Sequence, residues 1–285
     1  MSTAVVRRWT FVRLIVFGVV LLAGDTAAQL TRIVLMQHAP ERGRNWIVLG
    51  AAVALAAALI ALYGGLVRGL ERRRALEARF SVRRLLLGAA VGTALFATVF
   101  GVLSVLGVAH WRGLSPHADV LPQLAAALVA AVGEELTFRG GVFRVLADGF
   151  GTTAALIVSA GIFGLLHALN PGATLLSSVA IMLEAGVLLG AAYAYSDNLW
   201  LPIGIHLGWN FTEGGLFGVS VSGYRGAGGL VSVSLAGPRL LTGGPFGPEA
   251  SLVAVAICLL AGLAFIVLAL RRKRWIAARA RLVLE

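Results

Sequence analysis

The chain has 285 residues, of which 59% are hydrophobic and only 13% are charged. Because soluble domains carry about 25% charged residues, this composition excludes an ordinary soluble globule and indicates a membrane protein with several crossings. The formal net charge of +11 does not predict a nucleic-acid partner, since the arginines separate apolar stretches instead of forming basic runs interleaved with aromatic residues.

Eight apolar segments are candidates for membrane helices, at about 20 residues for each crossing. They cover residues 12–36, 46–67, 85–108, 121–146, 151–168, 173–195, 200–218 and 250–270. They predict an all-α fold, a polytopic membrane helix bundle of about eight transmembrane helices in a single transmembrane domain over residues 1–285. Cys258 is the one cysteine and lies in the last segment, so neither a disulfide framework nor a thiolate zinc site is expected.

Basic residues distinguish the two sides of the predicted bundle. Connections rich in them precede the first segment and follow the second and eighth, and two arginines end the fourth segment, whereas the intervening connections are poorer in charge. The basic residues of the richer set are Arg7, Arg8, Arg68, Arg72, Arg73, Arg74, Arg79, Arg83, Arg84, Arg139, Arg144, Arg271, Arg272, Lys273, Arg274, Arg279 and Arg281. Cytoplasmic connections carry the excess of Lys and Arg, so both termini are predicted to be cytoplasmic.

The sequence does not decide the structure of three stretches. Arg7, Arg8, the apolar run that follows and then DTAAQ form either a first membrane helix or a secretory signal with a small-residue cleavage site. The basic segment 68–84 is either an amphipathic helix near anionic headgroups or a solvated loop. Residues 219–249 are rich in Gly and Pro and predict an external loop, whose middle, GLVSVSLAG, can pair as a short hairpin.

Ionisable residues at membrane depth carry the functional information. A charge at a helix centre costs about 2.5–3.5 kcal/mol on insertion scales, so such residues usually face a cavity or a partner. The stretch AAVGEELTFRGG contains the first group. Residues four apart share a helix face, so Glu135 and Arg139 are predicted to form an ion pair. Glu134 points elsewhere and remains the free carboxylate.

Two further clusters follow along the chain. FGLLH ends in His167, and HLGWN places His206 and Asn210 four residues apart on one helix face. Each cluster has a structural alternative, a hydrogen bond between helices that stabilises the bundle. Glu184 and Glu213 are additional candidates for buried acids, and the sequence assigns no role to them.

These clusters contain the groups that peptide-bond hydrolysis needs, if they converge. Glu134 can take a proton from water with the help of His167, and His206 with Asn210 can donate to the developing oxyanion. A carboxylate and two histidines are also the ligand set of a catalytic zinc ion, which Glu134, His167 and His206 would then bind. The local His-Glu-x-x-His signature of many zinc proteases is absent. Two alternatives therefore remain: the site binds one divalent metal ion, or it works without any cofactor.

The three clusters resemble known motifs. EELTFR, FGLLH and HLGWN are similar to the Glu-Glu-x-x-x-Arg, Phe-x-x-x-His and His-x-x-x-Asn motifs of the CPBP intramembrane proteases. That family comprises the type II CAAX prenyl endopeptidases and the bacteriocin-processing or immunity proteins. Each motif is weak alone, but all three occur in the family's order. The resemblance covers a protease-like core at residues 120–215, and its flanks resemble bacterial members.

The resemblance implies an intramembrane endopeptidase in a bacterial cytoplasmic membrane, with a membrane-associated peptide or protein as substrate. Glu134 would be the general base, and His167 would bind the same water. His206 would stabilise the oxyanion with Asn210, or would ligate a metal. The implied site residues are Glu134, Glu135, Arg139, His167, His206 and Asn210.

Two other classes of function use the same residues. Buried acids and histidines can form the proton relay of a transporter, although the sequence has no inverted repeat of the kind common in transporters. The motifs can also shape the groove of a non-catalytic immunity or scaffold protein.

Overall fold

The computed structural model describes residues 3–116, 118–226 and 228–277, and Arg279 and Arg281 of the basic set lie outside these described residues. Long helices dominate these ranges. They are α1 (Thr3–His38), α2 (Arg44–Glu71), α3 (Val82–Val105), α4 (Val120–Phe150), α5 (Thr152–Leu169), α6 (Leu175–Ser196), α7 (Trp200–Asn210, continued by a π turn over Phe211–Leu216) and α8 (Leu252–Arg271). The predicted all-α membrane helix bundle is confirmed.

Seven helices, all except α7, are long and apolar enough to cross a membrane. The predicted segment 200–218 forms α7, which is shorter and packs against α3, α4 and α6. Every residue from Leu201 to His206 is buried. α7 is therefore an inner helix that presents its polar side chains to the interior of the bundle.

Side-chain caps set where two of the helices begin. Thr174 Oγ1 accepts from the Ser177 backbone N–H at 3.1 Å, and Ser177 Oγ accepts from the Thr174 N–H at 2.7 Å, which forms a capping box before α6. Ser251 Oγ accepts from the Ala254 N–H at 3.1 Å at the start of α8. Such caps satisfy N–H groups that the first helical turn leaves without partners. Between α4 and α5, Gly151 takes a φ of 85°, which turns the chain within one residue.

Three of the described helices contain a π-helical segment. These segments are Leu136–Phe143 in α4, Met182–Gly186 in α6 and Phe211–Leu216 at the end of α7. A π turn changes the direction of the side chains that follow it, and such turns are frequent at functional sites. Arg139 and Glu184 lie within the first two segments, so the polar interior is built where the helical register changes.

Glycines allow α3 and α7 to approach closely. A Cβ on Gly88 or Gly92 of α3 would overlap backbone atoms of α7, and a Cβ on Gly204 or Gly208 of α7 would overlap backbone atoms of α3. Small residues permit this kind of contact between membrane helices. The contact fixes the position of α7, which carries the HLGWN motif.

The connections after α3, α5 and α7 meet on one side of the bundle. Strand β1 (Ala109–Leu114) follows α3 and pairs antiparallel with β2 (Val231–Leu235), which follows α7. The predicted hairpin within GLVSVSLAG is therefore wrong. Because α3 and α7 run in parallel, their following connections begin side by side, and β2 pairs with β1 instead of with its own neighbours. Asn170 Nδ2, after α5, donates to Ser222 O at 3.0 Å on the same side.

The basic segment between α2 and α3 lies on the opposite side. Between the end of α2 and the start of α3 it contains only a short 3-10 turn, Leu76–Ala78, so of the two alternatives for residues 68–84 the amphipathic helix is wrong. Buried Glu77 anchors the segment, since it accepts hydrogen bonds from Tyr63 Oη and from Arg73 at 2.8 and 2.9 Å. Burial disfavours the charged form of Glu77, but the hydrogen bonds from Arg73 and Tyr63 outweigh it, so the pKa of Glu77 is lowered.

Candidate active site

Glu135 and Arg139 form an ion pair inside the bundle, as their spacing predicts. Arg139 Nη1 donates to Glu135 Oε1 at 2.7 Å, and both side chains are buried. Arg139 Nη2 also donates to the carbonyl oxygens of Ala185 and Gly186 in α6, at 3.1 and 3.3 Å. The guanidinium lies over the Phe163 ring of α5, 4.7 Å from its centroid. Arg139 therefore links α4 to α5 and α6.

His206 joins this ion pair from α7. Its Nδ1 lies 3.2 Å from Glu135 Oε1. A carboxylate only accepts, so His206 Nδ1 carries the hydrogen of this bond. We expected Glu134 to meet both histidines, but the structure places His206 against Glu135. Asn210 lies one turn further along α7, and among the described residues its amide makes no hydrogen bond.

Glu134 and His167 approach each other from α4 and α5. Glu134 Oε2 lies 4.0 Å from His167 Nε2 and, within the described ranges, is buried without a hydrogen-bond partner. His167 Nδ1 lies 2.8 Å from Phe163 O, so Nδ1 holds the hydrogen and Nε2 of the neutral ring presents a lone pair. Two acceptors cannot hydrogen-bond to each other, but at this spacing one water can donate a hydrogen to each.

A small cavity lies between α5, α6 and α7. It is lined by His167, His206 and Asn210, together with Glu249 from the loop between α7 and α8. Water centres can occupy about 30 Å³ of it, and one water needs about 10–15 Å³ measured in this way, so about two waters fit. Glu134 does not line this cavity and reaches His167 from the α4 side.

Three buried carboxyl groups flank the cavity. Glu184 and Glu249 line it, and Glu213 Oε2 accepts a hydrogen bond from Trp209 Nε1 at 3.1 Å. Glu249 interacts electrostatically with both Glu184 and Glu213. Burial raises the pKa of Glu249, and hydrogen bonds from Ser222 offset part of that rise. The sequence singled out Glu184 and Glu213, but Glu249 had no signal because it lies in the Gly/Pro-rich loop.

The metal-ligand arrangement implied by the resemblance is not assembled here. In the part of the chain that the structure describes, no group of three or more His, Cys, Asp or Glu side chains could hold a metal ion. His206 contacts Glu135, whereas His167 faces Glu134, so the three implied ligands do not converge on one point.

Asp25 of α1 is a polar residue beside the site that the sequence analysis missed. It is 8% exposed, and its Oδ1 lies against Gly133, the residue before Glu134. The sequence did contain a signal, because a single acid inside an apolar helix marks a candidate functional residue. The alternative interpretation of DTAAQ as a cleavage site obscured that signal.

Among the described residues, seven helices are long and apolar enough to cross a membrane, and with the buried polar site they define an integral membrane protein. Residues 116–212 match the family model described as type II CAAX prenyl endopeptidase Rce1-like. The resemblance inferred from the three motifs is thereby confirmed over these residues, and similarity to this family implies a peptidase. Neither a curated protein nor a solved structure matches the chain.

Proposed function

We propose that this chain is a CAAX-protease-like intramembrane endopeptidase that hydrolyses a peptide bond with a water activated by Glu134 and His167. The observation that supports it is the 4.0 Å spacing of Glu134 Oε2 and His167 Nε2. Both atoms are acceptors, and a water between them donates one hydrogen to each. That water would lie beside the cavity into which His206 and Asn210 project.

In the proposed reaction, Glu134 takes a proton from this water while the water oxygen bonds to the carbonyl carbon of the scissile peptide. The carbonyl oxygen becomes an oxyanion. Glu134 then passes the proton to the peptide nitrogen, and the C–N bond breaks. The products are a carboxylic acid and an amine, and Glu134 returns to the carboxylate form.

The donors to the oxyanion come from α7. The Asn210 amide has hydrogens free to donate, and removing one such donor costs about 10²–10³ in kcat. His206 gives its Nδ1 hydrogen to Glu135, so it can donate from Nε2 only when the ring carries both protons. Glu135 and Arg139 act as positioning residues, because Glu135 orients His206 and Arg139 holds Glu135.

The proposed substrate is a membrane-associated peptide or protein, and the proposed location is a bacterial cytoplasmic membrane. The apolar helices support insertion in a lipid bilayer, and the motif flanks FRGGVF and NLWLPIGIHLGWNF support a bacterial-type member.

The test is cleavage of a library of candidate membrane peptides by the purified full-length protein in lipid vesicles. We expect cleavage by the wild type and by Asp119→Asn, an acid-removing control at the other end of α4, and none by Glu134→Ala. Equal cleavage by Glu134→Ala would overturn the mechanism. Parallel reactions with a chelator decide the metal question, since loss of activity restored by Zn²⁺ would show that a metal takes part.

A further inference from the structure

Asp25 brings α1 into contact with the turn of α4 that carries Glu134. A Cβ on Gly133 would overlap Asp25 Oδ1 and Cγ, so the absence of a side chain at Gly133 makes room for the Asp25 carboxyl group. Asp25 interacts electrostatically with both Glu134 and His206. The Asp25 carboxyl group therefore lies close enough to the proposed site to interact with its charges.

The Asp25 carboxyl group lacks the partner that a buried acid normally has. Its side chain is more than nine-tenths buried, yet in the ranges that the structure describes Oδ1 has no hydrogen-bond partner. Leaving a buried acceptor without a partner costs about 1–3 kcal/mol. The neighbouring turn at Gly24 is covered by Leu59 and Leu62 of α2, whose side chains cannot donate. The missing donor must therefore come from outside the chain, and a bound water is the smallest such donor.

A water fits this position better than a substrate peptide does. Oδ1 lies against Gly133 of α4 and is a buried atom, so it offers no exposed surface to an extended chain. Buried waters commonly bridge polar groups that the protein leaves without partners. Glu134 is the neighbouring group whose Oε2 lacks a protein partner, and a carboxylate has lone pairs for a second water besides the one shared with His167.

We propose that Asp25 is a positioning residue of the active site, which accepts a hydrogen bond from a second water that also contacts the Glu134 carboxylate. This water holds the carboxylate in the direction of His167. The inference rests on the proposed endopeptidase function. It also requires that α1 remains in the mature protein, because cleavage at DTAAQ would remove Asp25 from the bundle.

The variants Asp25→Ala and Asp25→Asn separate this role from packing. Asp25→Ala removes the acceptor, so we expect kcat to fall about 10- to 100-fold, as for a misplaced catalytic group, with KM unchanged. Asp25→Asn keeps an acceptor oxygen of the same shape and should retain most of the wild-type kcat. Thr26→Ala, on the exposed face one residue further along α1, is the matched control and should behave as the wild type.

Thermal unfolding of the same proteins in detergent gives a readout independent of activity. Asp25→Ala removes a buried acceptor whose proposed partner is a water instead of a protein group, so we expect its Tm to stay close to that of the wild type. A Tm far below that of the wild type would show that the carboxyl group serves packing and would overturn the inference, whether or not a substrate has been found. The intact mass of the active protein should correspond to a chain that retains α1. A protein that is active without α1 would also overturn the inference about Asp25.

The kinetic outcomes separate this inference from the proposed function. If Asp25→Ala cleaves as fast as the wild type while Glu134→Ala is inactive, the endopeptidase stands and the role of Asp25 is refuted. If Asp25→Asn is as slow as Asp25→Ala, the acceptor role is refuted. If the wild type cleaves no peptide, the proposed function fails, and the Tm comparison decides about Asp25.

Discussion

Arg139 Nη1 lies 2.7 Å from Glu135 Oε1, with both side chains buried at the centre of the bundle. Breaking a buried ion pair by removing one partner costs about 3–5 kcal/mol. We therefore expect Arg139→Met to lower the Tm in detergent strongly. Arg139→Lys should be intermediate, because it keeps the charge and loses the contacts to Ala185 and Gly186. The exposed Arg83→Met serves as control, and a Tm of Arg139→Met equal to that of this control would contradict the structural role.

Glu134 and His167 should act as one unit, since the proposed mechanism has them bind a single water. Groups that act together show strongly non-additive losses. We expect Glu134→Gln and His167→Ala each to lower kcat by about 10²–10⁴, the range of general acid–base catalysis. The double variant should lose little more than the worse single variant. Losses that multiply in the double variant would show that the two residues act independently.

Gly92 of α3 should be intolerant of any side chain. A Cβ there would overlap Ile205 O of α7, and overpacking costs about 1–3 kcal/mol. Gly92→Ala should lower both the Tm and kcat, because displacing α7 moves His206 and Asn210. Gly101→Ala is the matched control on the same helix, where a Cβ would meet open space. A Gly92→Ala protein as stable and active as Gly101→Ala would disprove the close α3–α7 contact.

Glu77 should make the stability of the bundle sensitive to acid. Its pKa is lowered in the folded protein, so its ionised form stabilises the fold above the pKa of an unfolded glutamate, about 4.3. That contribution is lost as the pH falls through the lower, folded pKa. We expect Glu77→Gln to have a lower Tm than the wild type at pH 7, and the difference to shrink as the pH falls below about 4.

The control for this pH series is the exposed Glu41→Gln, which removes an acid from the connection between α1 and α2. Its Tm should follow that of the wild type at every pH. If the Tm difference between the wild type and Glu77→Gln stayed constant down to acid pH, the lowered pKa of Glu77 would be refuted.

Several features were accessible from the sequence because they depend on local geometry and on the solvent. In lipid, every backbone polar group must be satisfied within the chain, so long apolar segments form helices. This is why the composition predicted the bundle and most helix positions. The four-residue spacing on one helix brought Glu135 and Arg139 together. The order of three short motifs was sufficient to indicate the family.

Other relationships were decided only by how the helices pack. The parallel contact of α3 with α7, made possible by glycines, placed β1 beside β2 and set the rotation that turns His206 toward Glu135. The meeting of Asp25 with Gly133 likewise joins residues far apart in the chain. The periodicity of a sequence shows which residues share a helix face. It does not show which helix that face contacts, how deep the helix lies in the bundle, or how the helix is rotated about its axis. Those depend on side-chain shapes along every contact at once, and they decide which buried acid meets which histidine.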